Sequence, residues 1–117
     1  MKNLLVILLL GLSVSVFAQT KPAYSVAEIT YINKDIYQKD LWPKIQRLVS
    51  EAGAEIIVSG SPTEGIAGIS KAADKVTIIK FKNTQQAKSF YASKSYQEIK
   101  PLAEKAINIK LYIVEGQ

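Results

Sequence analysis

The chain has 117 residues, a formal net charge of +5, and neither cysteine nor histidine. Those two absences exclude Ser-His-Asp and Cys-His nucleophile systems, zinc sites of the Cys/His kind, haem held by a proximal His or Cys, and any disulfide. The lysines are scattered along the chain instead of forming a block, which reads as a solvated surface.

The N-terminal stretch MKNLLVILLLGLSVSVFAQ sets Lys2 before an unbroken apolar run from Leu4 to Leu10 and tapers to Val16-Phe17-Ala18. Gly11, Ser13 and Ser15 soften the run before it reaches the roughly 20 apolar residues of a membrane-spanning helix. The expectation is a secretory signal peptide over residues 1–18, export to a periplasmic or extracellular location, and no membrane attachment after cleavage. Residues 19–117, which are 117 − 18 = 99 in number, then form a single domain with one small core.

Ala23 to Ile32 (AYSVAEITYI) is rich in β-branched and aromatic residues and reads as a strand. A helix follows, its apolar stripe made by Leu41, Ile45, Leu48, Val49 and Ala52. Pro43 permits two starts: a cap at Asp40 with Pro43 in the first turn, or a longer helix from near Asn33 that Pro43 kinks. Gly53 ends it. Ala54 to Ser59 is a second strand, the Gly-rich stretch after it a loop, and Asp74 to Lys82 a third strand. From Asn83 the pattern is helical, with Ala87, Phe90 and Tyr91 on one face. A restart is expected at Ser95, which with Glu98 has capping-box spacing, and Pro101 bends the new helix. Ile109 to Gly116 is the last strand.

The order β-α-β-β-α-β predicts an α+β, ferredoxin-like sandwich with both helices on one sheet face. Ile109, Leu111 and Ile113 suit that face, and Lys110, Tyr112 and Val114 the other. Both faces of the third strand carry two apolar side chains, Ile79 and Phe81 on one and Val76 and Ile78 on the other. A second sheet packed on the first, most economically from an identical subunit, accounts for that pattern.

Gly60-x-x-x-x-Gly65 opens like a phosphate-binding loop, but Ile66 and Ala67 stand where Lys and Ser/Thr are required. Gly68 to Ala72 resembles a nucleophile elbow but lacks the second Gly. Nucleic-acid binding is not expected, because the third strand lacks the aromatic signature of RNA-recognition folds. The acidic pairs Asp35/Asp40 and Glu51/Glu55 read as solvated charge, so no metal site is expected. On the face away from the helices, Glu28, Thr77, Lys80, Lys110 and Tyr112 could supply a polar subset lining a pocket. Glu28 would then act as an acid or base, or would simply pair with Lys80 or Lys110 across strands.

Taken together, YSVAEI, AGAEIIVSG, KVTIIKF, SFYASKSYQEIKPL and the terminal YIVEG resemble the domain-of-unknown-function family 1330 of the dimeric α/β-barrel superfamily. The likeness runs from Tyr24 to Gly116, and its most specific part is Phe90-Tyr91-x-Ser93-x-x-Tyr96-Gln97 followed by Pro101-Leu102. It implies a ferredoxin-like protomer that dimerises sheet to sheet and no particular activity. Superfamily relatives include small monooxygenases, dehydratases and isomerases that act on hydrophobic or aromatic compounds between helices and sheet. The chain departs from the family pattern at Ser59 and Ala103, where arginines are common, and at Phe81-Lys82, where Phe-Pro is common.

The expected protein is thus an exported homodimer, without cofactor, that takes a small hydrophobic or aromatic molecule into a cleft lined by Tyr91, Tyr96, Trp42 and Phe81. An alternative is a cofactor-independent enzyme with Glu28, Tyr112 or Tyr96 as proton carriers. A second alternative is a structural dimer whose cleft is filled by side chains such as Phe81 and Trp42.

Overall fold

The computed structural model describes residues 20–68 and 71–117; the signal peptide expected over residues 1–18 and its expected cleavage site lie outside the described residues. Strands β1 (Ala23–Tyr31), β2 (Glu55–Gly60), β3 (Lys75–Phe81) and β4 (Ile107–Glu115) form one antiparallel sheet in the order β2-β3-β1-β4. Between β1 and β2 come α1 (Lys34–Ile36), a π-helical turn (Tyr37–Leu41) and α2 (Trp42–Glu51). Between β3 and β4 come α3 (Thr84–Ala92) and α4 (Lys94–Ala106). This is the expected ferredoxin-like α+β arrangement, with each strand limit within about two residues of the sequence expectation.

The longer of the two readings of the first helix holds. Asn33 is the cap, its side chain accepting from the Ile36 N–H at 3.1 Å, and Asp40 lies inside the π turn. Pro43 explains the turn. Its ring would press on the carbonyl four residues back and it has no N–H to give, so the backbone widens there and the Trp42 N–H reaches the Tyr37 carbonyl instead. The helix ends as expected at Gly53, whose φ of +72° suits glycine. Paired bonds from the Gly53 N–H to the Ser50 carbonyl and from the Ala54 N–H to the Val49 carbonyl, both 3.1 Å, close the end.

The break between α3 and α4 falls two residues earlier than expected. Ser93, not Ser95, is the cap: its hydroxyl accepts from the Tyr96 N–H at 3.2 Å and donates to the Phe90 carbonyl at 2.6 Å. Glu98 is therefore not part of a capping box; it pairs with Lys94 at 4.0 Å on the exposed side of α4. Pro101 sits inside α4.

Strand register assigns the faces. Toward the helices point Ala23, Ser25, Ala27 and Ile29 of β1, Lys75, Thr77, Ile79 and Phe81 of β3, and Ile107, Ile109, Leu111 and Ile113 of β4. A bulge in β2 at Ile57 lets Ile56 face the helices while Val58 faces away. Thr77 therefore does not share a face with Lys80, as the polar grouping from the sequence supposed; three positions along a strand reverse the direction of the side chain.

Candidate functional site

The layer between helices and sheet holds two clusters of fully buried residues, bridged by the half-buried Ile45. One gathers Ala23, Val49, Ile79, Phe81, Ala87 and Phe90, and the other Ile29, Tyr37, Leu41, Ala106 and Ile107. The division follows from register. Row by row across the sheet, Ile79–Ser25–Ile113 underlies the first cluster and Lys75–Ile29–Ile109 the second; between them runs Thr77–Ala27–Leu111. Ala27 is too short to fill the centre of that row, and a cavity of about 40 Å³ remains above it. Trp42, Ile45, Tyr96 and Ile99 form its helical wall.

Two aromatic pairs enter this wall, each made of residues five positions apart, a spacing that an α-helix does not bring together. The π turn places Tyr37 and Trp42 on one side, with near-parallel rings whose centroids lie 6.1 Å apart. The break at Ser93 turns Tyr91 and Tyr96 edge to face at 4.8 Å. Each irregularity in the helices thus aims two rings at the cavity.

Three of the four expected ligand residues, Trp42, Tyr91 and Tyr96, line the cavity. Phe81 does not: it is buried among Phe90 and Tyr91, with ring centroids 5.5 and 6.2 Å away, and supports the aromatic corner from beneath. The Tyr91 hydroxyl donates to Ser25 Oγ at 2.7 Å. Burial pushes the Tyr91 pKa up to about 12, with the Ser25 hydrogen bond offsetting part of the rise. Burial also raises the pKa of Tyr96.

Glu28 and Tyr112 are brought together, but on the opposite side of the sheet from the cavity. The Tyr112 hydroxyl donates to Glu28 Oε2 at 3.2 Å in an exposed position. Its pKa is raised by partial desolvation and then by the neighbouring carboxylate. Lys110 faces Glu28 in register without an ion pair, and Tyr112 takes the bond that cross-strand pairing had offered to a lysine.

Sequence reasoning put Thr77 on the outer face and did not name Tyr37 or Lys75, and so missed the polar end of the cavity. Tyr37 and Thr77 line it, and behind Tyr37 lies Lys75, only 9% exposed. The Lys75 ammonium donates to the Tyr37 hydroxyl at 2.8 Å and sits 3.5 Å from the centroid of the Trp42 ring. The adjacent Asp74 carboxylate is taken by the Tyr31 N–H at 2.8 Å, and among the described residues Lys75 has no carboxylate partner. Desolvation lowers its pKa. Burial raises that of Tyr37, a rise that nearby Thr77 partly offsets, although Thr77 Oγ1 makes no well-formed hydrogen bond. The signal in the sequence was slight: a lysine at the start of a strand reads as solvated. Among the described residues no group of three or more potential metal ligands occurs.

The family model for the domain of unknown function DUF1330 matches residues 22–117, and the chain belongs to that family. Comparison with curated proteins finds no match. Among solved structures, the protein is similar to RPA0582, a protein of unknown function from Rhodopseudomonas palustris, at 10% identity and a TM-score of 0.68 over 92% of each chain. It is similar also to SnoaB, a cofactor-independent oxygenase from Streptomyces nogalater, at 7% identity and a TM-score of 0.55, covering 83% of this chain and 94% of that one. A conserved protein from Methanosarcina mazei Go1 matches at 15% identity and a TM-score of 0.51, over 83% and 94% of the two chains. These likenesses establish the ferredoxin-like fold of the SnoaB type.

Proposed function

We propose that this protein binds a small, largely apolar molecule between its helices and its sheet. The observation that carries the reading is the gap left between the two clusters. A chain with enough apolar residues to close the gap instead keeps Ala27 at its floor and two aromatic pairs at its wall. Leaving about 40 Å³ unfilled costs about 1 kcal/mol at the usual penalty of ~24 cal/mol per Å³ of cavity. That volume exceeds the room one water needs but falls short of an organic ligand, so binding requires side chains at the mouth to move. Trp42, Tyr96 and Ile99 at that mouth are only partly buried.

The test uses Trp42, the single tryptophan of the chain, as reporter. Titration with benzyl alcohol should change its emission saturably, and Ala27→Val, which fills the floor, should abolish the change while the fold persists. A linear, unsaturable response in the wild type, or undiminished binding by Ala27→Val, would defeat this reading.

A second reading, cofactor-independent proton-transfer chemistry, draws support from the fold shared with the oxygenase SnoaB and from the Glu28–Tyr112 hydrogen bond. Because that pair lies across the sheet from the cavity, a catalytic role for it requires a substrate on the outer face. Of the three expected proton carriers, Tyr96 is the one that lines the cavity. Turnover unchanged by Glu28→Gln would remove the outer-face version.

Export and self-association complete the proposal. The leader over residues 1–18 supports export, and the apolar outer row of the sheet supports pairing of two copies. Protein recovered from its native source should have an intact mass that begins near Gln19.

A further inference from the structure

We infer that the molecule taken into the cavity is a carboxylic acid with a small apolar body, its carboxylate held at the polar end by the hydroxyls of Tyr37 and Thr77 with Lys75 behind them. This rests on the cavity reading above and specifies its ligand.

Three observations converge. Among the described residues Thr77 Oγ1 makes no well-formed hydrogen bond, although the Tyr37 hydroxyl is nearby; it is fully buried, on a side chain only 3% exposed that lines the cavity. A buried hydroxyl without a partner is destabilising, so its retention at the centre of the sheet points to a partner that arrives from outside. Next, the Tyr37 oxygen accepts from Lys75 at 2.8 Å, which leaves its own proton to be donated elsewhere. Finally, Lys75 is a buried ammonium whose charge, among the described residues, is met by the Tyr37 hydroxyl and two ring faces, at 4.8 Å from the Tyr37 centroid and 3.5 Å from that of Trp42.

Two hydroxyl donors suit the two oxygens of a carboxylate, and one uncompensated cation suits its single charge. Lys75 does not line the cavity; it acts through Tyr37, polarising that hydroxyl so that it becomes a stronger donor. The remainder of the lining, including Ile29, Ile45, Ile99 and Leu111, offers no further charge and would hold only the apolar body. No covalent step is implied.

The experiment compares benzoate with benzyl alcohol, which are alike in size and differ in charge, using Trp42 emission of the full mature protein as the readout. Wild type should bind benzoate about tenfold or more tightly than the alcohol, as expected for charge-assisted hydrogen bonds in a buried site. Thr77→Val should weaken benzoate by about tenfold and leave benzyl alcohol unchanged. Lys75→Met should erase the preference for the acid, a change in selectivity that a merely structural lysine would not produce. Thr77→Val conserves shape, so the test stands even if the Lys75 variant folds poorly. If both compounds bind with equal affinity, or if Thr77→Val weakens both alike, the carboxylate anchor is overturned and the apolar site stands. If neither binds, the cavity reading falls and this inference with it.

Discussion

Ser93 holds the helical layer at its corner by accepting a hydrogen bond from the Tyr96 N–H at 3.2 Å while donating to the Phe90 carbonyl at 2.6 Å. One hydroxyl thus finishes α3 and begins α4, and the turn it fixes is what sets Tyr96 against Tyr91. Ser93→Ala should lower stability by about 1 kcal/mol or somewhat more, the usual cost of a lost N-cap. Ser95→Ala should change it by less than about 0.5 kcal/mol, as for an exposed position within a helix. Urea midpoints of the two variants measure the contrast, and equal losses would return the cap to Ser95.

The same corner shows how far the sequence could be read. Strand order, the faces of the last strand, the glycine stop at Gly53 and the packing role of Phe90 and Tyr91 all follow from period-two and period-3.6 patterns, and the structure keeps them. The cavity wall is different. Tyr37 meets Trp42 and Tyr91 meets Tyr96 across five positions, which neither period predicts; both meetings depend on a break in the helix. Pro43 was visible as an awkward residue and the second break was expected at Ser95, two residues past the true cap at Ser93, but the effect of either break on ring direction comes from backbone geometry. Ala27 is a cavity floor only once register sets it between Thr77 and Leu111.

Thr77→Val should stabilise the ligand-free protein by about 1 kcal/mol, because it removes a buried hydroxyl that has no partner and keeps the branched shape that a strand favours. Thermal unfolding of both proteins without ligand checks this. A clear loss of stability would mean that the hydroxyl is satisfied in the empty protein, and the case for an external partner would weaken with it.

Alkaline stability should report the buried tyrosines. Burial holds Tyr91 at a pKa of about 12, above its usual 10.0, so the folded chain keeps a proton that the unfolded chain releases. The resulting contribution is fully present below pH 10 and is lost as pH rises from 10 towards about 12. Tyr37 and Tyr96 are raised as well and add to the same fall. Tyr91→Phe leaves the Ser25 hydroxyl without its donor and should cost about 1 kcal/mol near neutrality. Its decline in the alkaline window should nonetheless be shallower than that of the wild type. Urea midpoints at pH about 9 and about 11.5 measure both slopes; parallel slopes would mean that Tyr91 titrates normally.

Across the outer face, Val58, Ile78, Val26 and Tyr112 stand side by side, one from each strand, in an apolar row crossing the whole sheet. Val58 is 42% and Tyr112 47% exposed, so the row meets solvent unless another surface covers it. A second copy offers the same row in return, and self-complementary apolar faces are what a two-fold dimer needs. Val26→Lys separates the effects. In a monomer the new ammonium stands in water on the sheet surface and costs under about 1 kcal/mol in strand propensity. In a sheet-to-sheet dimer it would be buried between two apolar rows, at a cost of several kcal/mol. Sedimentation at matched micromolar concentration should therefore show a dimer for the wild type and a folded monomer for Val26→Lys. A wild-type monomer under those conditions would defeat the pairing, and a dimeric Val26→Lys would move it to another surface.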